Sequence, residues 1–260
     1  MIEKKYGSGN SITTTHDHRN VSKKKRTSHY FFIIVLLVMA IVLTSLFTPL
    51  FNITNIKIEG MEKVTQQVIL DVSGIEKDMN IFHINLNTVR NHIGGIPYID
   101  SVKIKRKLPN TVIITIVERK PVGCIPFMGS YIFIDAKGNV LEVASQIENQ
   151  DIPIINGLKF NEFKMGERIK VDEENKLDII VSCVKELINS NLLDKTGLID
   201  VHDVDNIQLN IEGRIVVNMG DVSRMRHKME FLVAILNEIK SEQKGFIDLS
   251  VEKPVLSVEN

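Results

Sequence analysis

Residues 105–123 read KRKLPNTVIITIVERKPVG. In an extended chain Val112, Ile114 and Ile116 share one face, while Ile113, Thr115 and Val117 share the other. Pro109 and Asn110 supply turn chemistry before that run, and ahead of the turn Val102 and Ile104 alternate with Lys103 and Lys105. The stretch therefore reads as a β-hairpin with charge gathered at both ends, including Arg106 and Arg119. These two arginines either solvate strand ends or present a polar edge to a partner. Charge reversal at Arg119, as a surface change, is expected to leave folding nearly intact.

Working back toward the amino terminus, FNITNIKIEG (51–60) carries Ile53, Ile56 and Ile58 in a short strand that Gly60 stops. VTQQVILDVSG (64–74) places Val64, Val68, Ile69 and Val72 at helical spacing, with Thr65 as N-cap and Gly74 as stop. NLNTVRNHIGG (85–95) reads as a second helix capped by Asn85, burying Leu86, Val89 and Ile93 and ending at Gly94 and Gly95. The order β-α-α-β-β predicts a three-stranded sheet with two helices over one face.

Net charge is zero, with 25% charged and 43% hydrophobic residues, the composition of an ordinary folded protein. That average hides a polarity. No Asp, Glu, Lys or Arg occurs from Thr27 to Ile56, and Tyr30 to Phe51 is apolar almost throughout. As a helix the run would extend roughly 33 Å, against about 30 Å of hydrocarbon. It lacks both the small-x-small site of a cleaved signal and the polar face of a surface helix. Lys23, Lys24, Lys25 and Arg26 abut its start, which by the positive-inside rule puts the amino terminus in the cytoplasm and the remainder outside. Residues 1–29, with the low-complexity patch GSGNSITTT, are expected to form a disordered basic tail. Its lysines serve topology and anionic lipid rather than nucleic acid.

Beyond the hairpin a second domain is expected over 121–251. YIFIDAKGNVLEV (131–143) reads as another hairpin, around Lys137 and Gly138. In DEENKLDIIVSCVKELINS (172–190), Leu177, Ile180, Val181, Val184, Leu187 and Ile188 form a helical stripe. Asp172, Glu173 and Glu174 read as first-turn caps rather than a metal site. Ile207, Leu209 and Ile211 alternate, as do Ile215, Val217 and Met219. Asp221 is the expected cap of a last helix with Met225, Met229, Leu232, Leu236 and Ile239 inside. Phe246 to Val251 forms a late strand at a sheet edge, and 252–260 a short tail.

The elements of 52–120, the spacing from KRKLPN to VERKPV, the D-x-x-G hairpin at Asp135, the Gly220–Asp221 start with Lys228, and the FIDLS strand together resemble the FtsQ/DivIB family of cell-division proteins. The resemblance runs from Lys23 to Val251, with Ser250 where the family often has Arg. It implies an α+β fold: a single transmembrane helix (30–51), a POTRA domain (52–120), and a second, mainly antiparallel β domain with two helices. It also implies a scaffold at the division septum. Such a scaffold would bind FtsL-like and FtsB/DivIC-like single-span partners, the latter by β-augmentation, and help regulate septal peptidoglycan synthesis. Phe246, Asp248, Ser250 and Val251, with Arg106 and Arg119, are the residues expected to meet partners.

Reaction chemistry has no visible carrier. HExxH, G-x-S-x-G, Walker A and G-x-G-x-x-G patterns are missing from the outer region. His202, Asp203 and Asp205 are the best acid–base or metal constellation, and they sit where turn residues are expected. Cys124 and Cys183 suit buried thiols as well as a disulfide. No enzyme activity, cofactor, metal, nucleic acid or small-molecule substrate is expected. A membrane-anchored cell-wall hydrolase would need convergent catalytic groups, and a transmembrane signalling protein a cytoplasmic effector.

Overall fold

In the computed structural model the apolar run forms α1 (Arg26–Ser45). The structure describes residues 26–45, 48–147, 151–240, 242–251 and 253–259, so Lys23, Lys24, Lys25 and the rest of the basic tail before Arg26 lie outside them. The chain divides into one unit ending at Thr48 and another beginning at Pro49. In the first, the large apolar side chains of α1 from Tyr30 to Leu43 are exposed, and a helix with no polar side has no orientation that suits water. Among the described residues no helix is long and apolar enough to cross a membrane. The helix expected over Tyr30–Phe51 thus ends at Ser45, and Pro49–Phe51 forms a 3-10 turn in the second unit. Pro49 has no N–H to give to a continuing helix. Membrane crossing is carried by the sequence alone.

The second unit opens with β1 (Asn55–Glu59), α2 (Gln66–Ser73), α3 (Leu86–Gly94), β2 (Ile99–Lys107) and β3 (Thr111–Glu118). The sheet order is β1-β3-β2, with β1 parallel and β2 antiparallel to the central strand. Val112, Ile114 and Ile116 of β3 pack with Ile69 of α2 and with Val89 and Ile93 of α3 in one core. The expected caps are present. Thr65 accepts the Val68 N–H, Gly74 adopts φ 65°, and Asn85 accepts from Asn87 and Thr88. The expected α2 stripe is turned, however: Ile69 and Ser73 point inward while Val68 and Val72 are exposed. Gly60, at φ 85°, is required because a Cβ there would collide with the Ile116 carbonyl.

A nine-stranded sheet follows. Its elements are β4 (Gly123–Phe127), β5 (Ser130–Ile134), β6 (Val140–Ala144), β7 (Ile154–Asn156), α4 (Glu174–Asn189), β8 (Thr196–Asp200), β9 (Ile207–Ile211), β10 (Ile215–Gly220), α5 (Met225–Glu238), β11 (Lys244–Asp248) and β12 (Val255–Glu259). The order across it is β12-β11-β10-β9-β8-β7-β4-β5-β6. Five of its eight pairings are antiparallel, and β4·β7, β7·β8 and β10·β11 are parallel. The core joins Leu177, Ile180, Val184 and Leu187 of α4 and Met225, Met229 and Leu232 of α5 to the alternating strand residues of β8 to β11.

Two expected caps fail. Glu173 flanks α4 without a side-chain cap bond, and α5 starts after Arg224, not at Asp221. Cys124 and Cys183 are free and buried. Burial pushes their thiols up to about 11 and about 12, respectively, so both stay protonated and inert near neutral pH.

The two sheets meet through polar contacts. The Arg119 N–H donates to the Tyr98 carbonyl at 2.7 Å. Its guanidinium donates to the Ile99 carbonyl at 3.0 Å and to Asp135 at 2.8 Å. Side-chain exposure is 17% for Arg119 and 7% for Asp135, so Arg119 is an internal cation and not the surface group expected. Burial works against ionising Asp135, but donors from Asn139, the Lys137 backbone and Arg119 outweigh it and hold the carboxyl below its ordinary 3.8. Around this pair, Lys63 reaches Glu142 and the Tyr98 hydroxyl, both at 2.6 Å, and Lys137 reaches Asp100 at 2.9 Å.

Arg119→Ala should therefore lower the unfolding free energy by about 3 kcal/mol, the low end of the cost of breaking a buried pair, measured by denaturant titration. Because the folded pKa of Asp135 is depressed, its contribution is complete above the unfolded value and is lost as pH falls through the folded one. The stability gap between the parent and Asp135→Asn should hold at neutral pH and close below 3.8. A gap that is constant through acid would remove the carboxylate from this role.

Candidate partner-binding edge

An open sheet has two edges, and each exposes unpaired N–H and C=O groups unless something covers it. At β6 the first residue is covered internally: the Val140 N–H donates to the Glu167 carbonyl at 2.9 Å, and the Val140 carbonyl accepts from Gly166 at 2.7 Å. In the three-stranded sheet β2 carries Lys103, Lys105 and Lys107, all exposed, and such lysines discourage pairing. β12 has neither protection. It pairs with β11 from Lys244↔Glu259 to Asp248↔Val255, and among the described residues no backbone bond is found on its other side.

This relocates the expected edge. Phe246 and Asp248 belong to β11, which is held between β10 and β12, and Ser250 and Val251 lie past its end. The chain leaves β11 because the Asp248 carboxylate accepts both the N–H and the hydroxyl of Ser250, at 2.9 and 2.6 Å. It then returns as an antiparallel strand through 255–259, the region expected to be a tail. The signal was present in PVLSVE: a proline is tolerated just ahead of a strand, and Val255, Leu256 and Val258 are strand formers.

Beside β12 lies a cavity of about 240 Å³ lined by Arg224, His227, Lys228, Phe231, Leu249, Val251 and Pro254. Lys228 is buried, and its Nζ donates to the Asp221 carbonyl at 2.9 Å and carboxylate at 3.0 Å. The Ser223 hydroxyl, then Lys228, holds the Asp221 carboxyl below its ordinary range. Asp221 thus organises the loop before α5 instead of capping the helix. Gly220, at φ 63°, lets the returning chain lie close, since a Cβ there would sit 2.8 Å from that of Ser250. Phe231, Phe246, Val251, Val255 and Leu256 are exposed. The arrangement offers backbone pairing with apolar seats beside it.

The other candidate residues go elsewhere. Arg106 donates to the carbonyls of Ile81 and Ile84 at 2.8 and 2.6 Å, clasping the loop before α3. His202 Nδ1 lies 2.7 Å from Asp200, whose carboxylate also accepts the His202 N–H. Asp203 accepts the Asp205 N–H and the Asn206 amide. These are turn bonds, and among the described residues no three His, Cys, Asp or Glu side chains are grouped to hold a metal.

Comparison with known proteins bears on this geometry. The family of FtsQ-type POTRA domains matches residues 51–119. Cell division protein DivIB of Clostridium botulinum is 31% identical over 223 residues, covering 84% of this chain and 86% of that one. DivIB of Clostridium tetani is 29% identical over 228 residues, covering 85% and 84%. Cell division protein FtsQ of Geotalea daltonii is 31% identical over 111 residues, covering 43% of this chain and 40% of that one.

Arg106→Ala should expose residues 81–84 to faster amide hydrogen exchange and cost about 1–3 kcal/mol, since two carbonyls lose a charged donor. Unchanged exchange across that loop would show that the clasp does not hold it.

Proposed function

This chain belongs to the DivIB/FtsQ family of cell division proteins, and on that premise we propose that it is a bitopic scaffold of the division machinery. The basic cluster Lys23 to Arg26 holds the amino terminus in the cytoplasm, the apolar run that starts at Tyr30 crosses the bilayer before the chain enters the second unit at Pro49, and both sheets stand outside at the division septum. The scaffold recruits small single-span partners of the FtsL and FtsB/DivIC kinds and through them helps regulate septal peptidoglycan synthesis. It performs no reaction itself.

One observation carries this reading: β12 is an unprotected edge with exposed Val255 and Leu256 at its start and a groove at its side. A strand from a DivIC-like partner would extend the nine-stranded sheet there, its backbone giving affinity and its alternate side chains specificity. Partner strands are expected at β12 and not along Phe246–Val251.

Along an edge strand, successive residues direct their N–H groups alternately into the sheet and toward the open side. Proline at Leu256 and proline at Ser257, made separately, should differ. Each deletes an N–H worth about 0.5–1.5 kcal/mol when paired. One variant should melt earlier; the other should keep its melting temperature and lose affinity for the extracytoplasmic segment of a DivIC-like protein in calorimetric titration. If both bind like the parent, the partner uses another surface. Topology has its own check. Protease added to intact protoplasts should digest a tag on the carboxy-terminal side and spare one at the amino terminus, and the reverse pattern would invert the orientation.

A further inference from the structure

The POTRA module has two ends, and only one meets the nine-stranded sheet. Because β1 runs parallel to β3 from Asn55↔Thr111 to Glu59↔Thr115, the chain comes in beside the hairpin turn at 108–110 and leaves toward Arg119 at the opposite end. The incoming end is tied together by backbone bonds. The Ile81 N–H donates to the Phe51 carbonyl at 2.9 Å, the Ile53 N–H to the Met79 carbonyl at 2.9 Å, and the Thr54 N–H to the Asn110 carbonyl at 3.0 Å. The Phe51 and Phe82 rings lie 5.3 Å apart.

Apolar side chains project from this end into solvent. Leu50 is 63% exposed and Leu108 is 55% exposed, and Met79 and Phe82 are also exposed. They come from three separate segments, and the cations Lys77, Arg106 and Lys107 stand exposed among them, with the carboxylates Glu76 and Asp78 beside Lys77. Apolar tips with a small excess of cations around them suit the interfacial zone of a bilayer, where apolar groups enter the acyl boundary and lysines meet phosphate. The same segment supplies the link to the membrane. Leu50 and Phe51 are the last residues of the apolar run, yet Phe51 is already bonded into the fold. If that run crosses the bilayer, the loop around Met79 and the hairpin turn at Leu108 are carried to its surface with it.

We propose that this end of the POTRA module docks on the outer leaflet, seating Leu50, Met79, Phe82 and Leu108 in the headgroup zone of an anionic phospholipid bilayer. The inference builds on the proposed span. Docking makes the module a foot rather than a free link, so that the second sheet is held above the membrane instead of swinging on a tether.

The test uses the full chain in vesicles of phosphatidylethanolamine and phosphatidylglycerol, with a polarity-sensitive fluorophore on Met79→Cys, Leu108→Cys or Met128→Cys. Met128 is 88% exposed and lies in the β4–β5 turn, while the native cysteines are buried. Lipids brominated near the headgroup should quench labels 79 and 108 several-fold more than label 128. Leu108 decides the matter, since it is remote in sequence from the apolar run. Equal weak quenching at all three sites, with the chain retained on vesicles through an alkaline carbonate wash, would overturn the docking and leave the span standing. Loss of the chain in the wash would remove the span and the docking together. Labels silent to lipid but responsive to an added DivIC-like segment would make this end a protein interface and equally overturn the proposal.

Discussion

The Asp135 carboxylate holds two structures at once. One oxygen accepts the Lys137 and Asn139 N–H groups and shapes the β5–β6 turn, while the other accepts the Asn139 amide and the Arg119 guanidinium. Arg119 in turn holds the Ile99 carbonyl at the start of β2. A turn in one sheet is thereby fastened to a strand end in the other through a nearly dry ion pair. The surrounding pairs, Lys63–Glu142 and Lys137–Asp100, are half exposed, and such contacts contribute at most about 1 kcal/mol. The buried pair is therefore the stronger of these contacts between the sheets.

Much of the fold was legible because its signals are local. Alternation in β3, β9 and β10, the 3.6-residue spacing of α4 and α5, and the Thr65 and Asn85 caps each draw on a few neighbouring residues, and each is found. What escaped depends on partners distant in the chain. Arg106 and Arg119 look like surface charge in a linear reading, and only the fold brings the Ile81 carbonyl and Asp135 to them. The α2 stripe is turned by one position because the packing of Ile69 onto β3, not spacing alone, selects the inward side. Asp221 has the chemistry of a helix cap, yet Lys228 and Ser223 claim it first. The free edge of the sheet lies one strand beyond its expected place for the same reason: nothing local to Phe246–Val251 says that residues 255–259 will fold back beside it.

Edge management separates the two sheets by use. β6 is covered at Val140 by the 166–169 segment, and β2 is guarded by lysines. At β12 neither device is found among the described residues, and such an edge is open to a further strand. Buried, protonated thiols at Cys124 and Cys183 add no reactivity to that surface.

The pairing of β1 with β3 has a mechanical consequence. Because these neighbours run in the same direction, the start of β1 and the end of β3 lie at opposite ends of the three-stranded sheet. A pull between the segment before Pro49 and the nine-stranded sheet would load the ladder from Asn55↔Thr111 to Glu59↔Thr115 in shear, with all its bonds sharing the force. A hairpin pulled at its open end would instead unzip one bond at a time. The module is thus wired to transmit tension along its length and to resist it with the whole ladder at once.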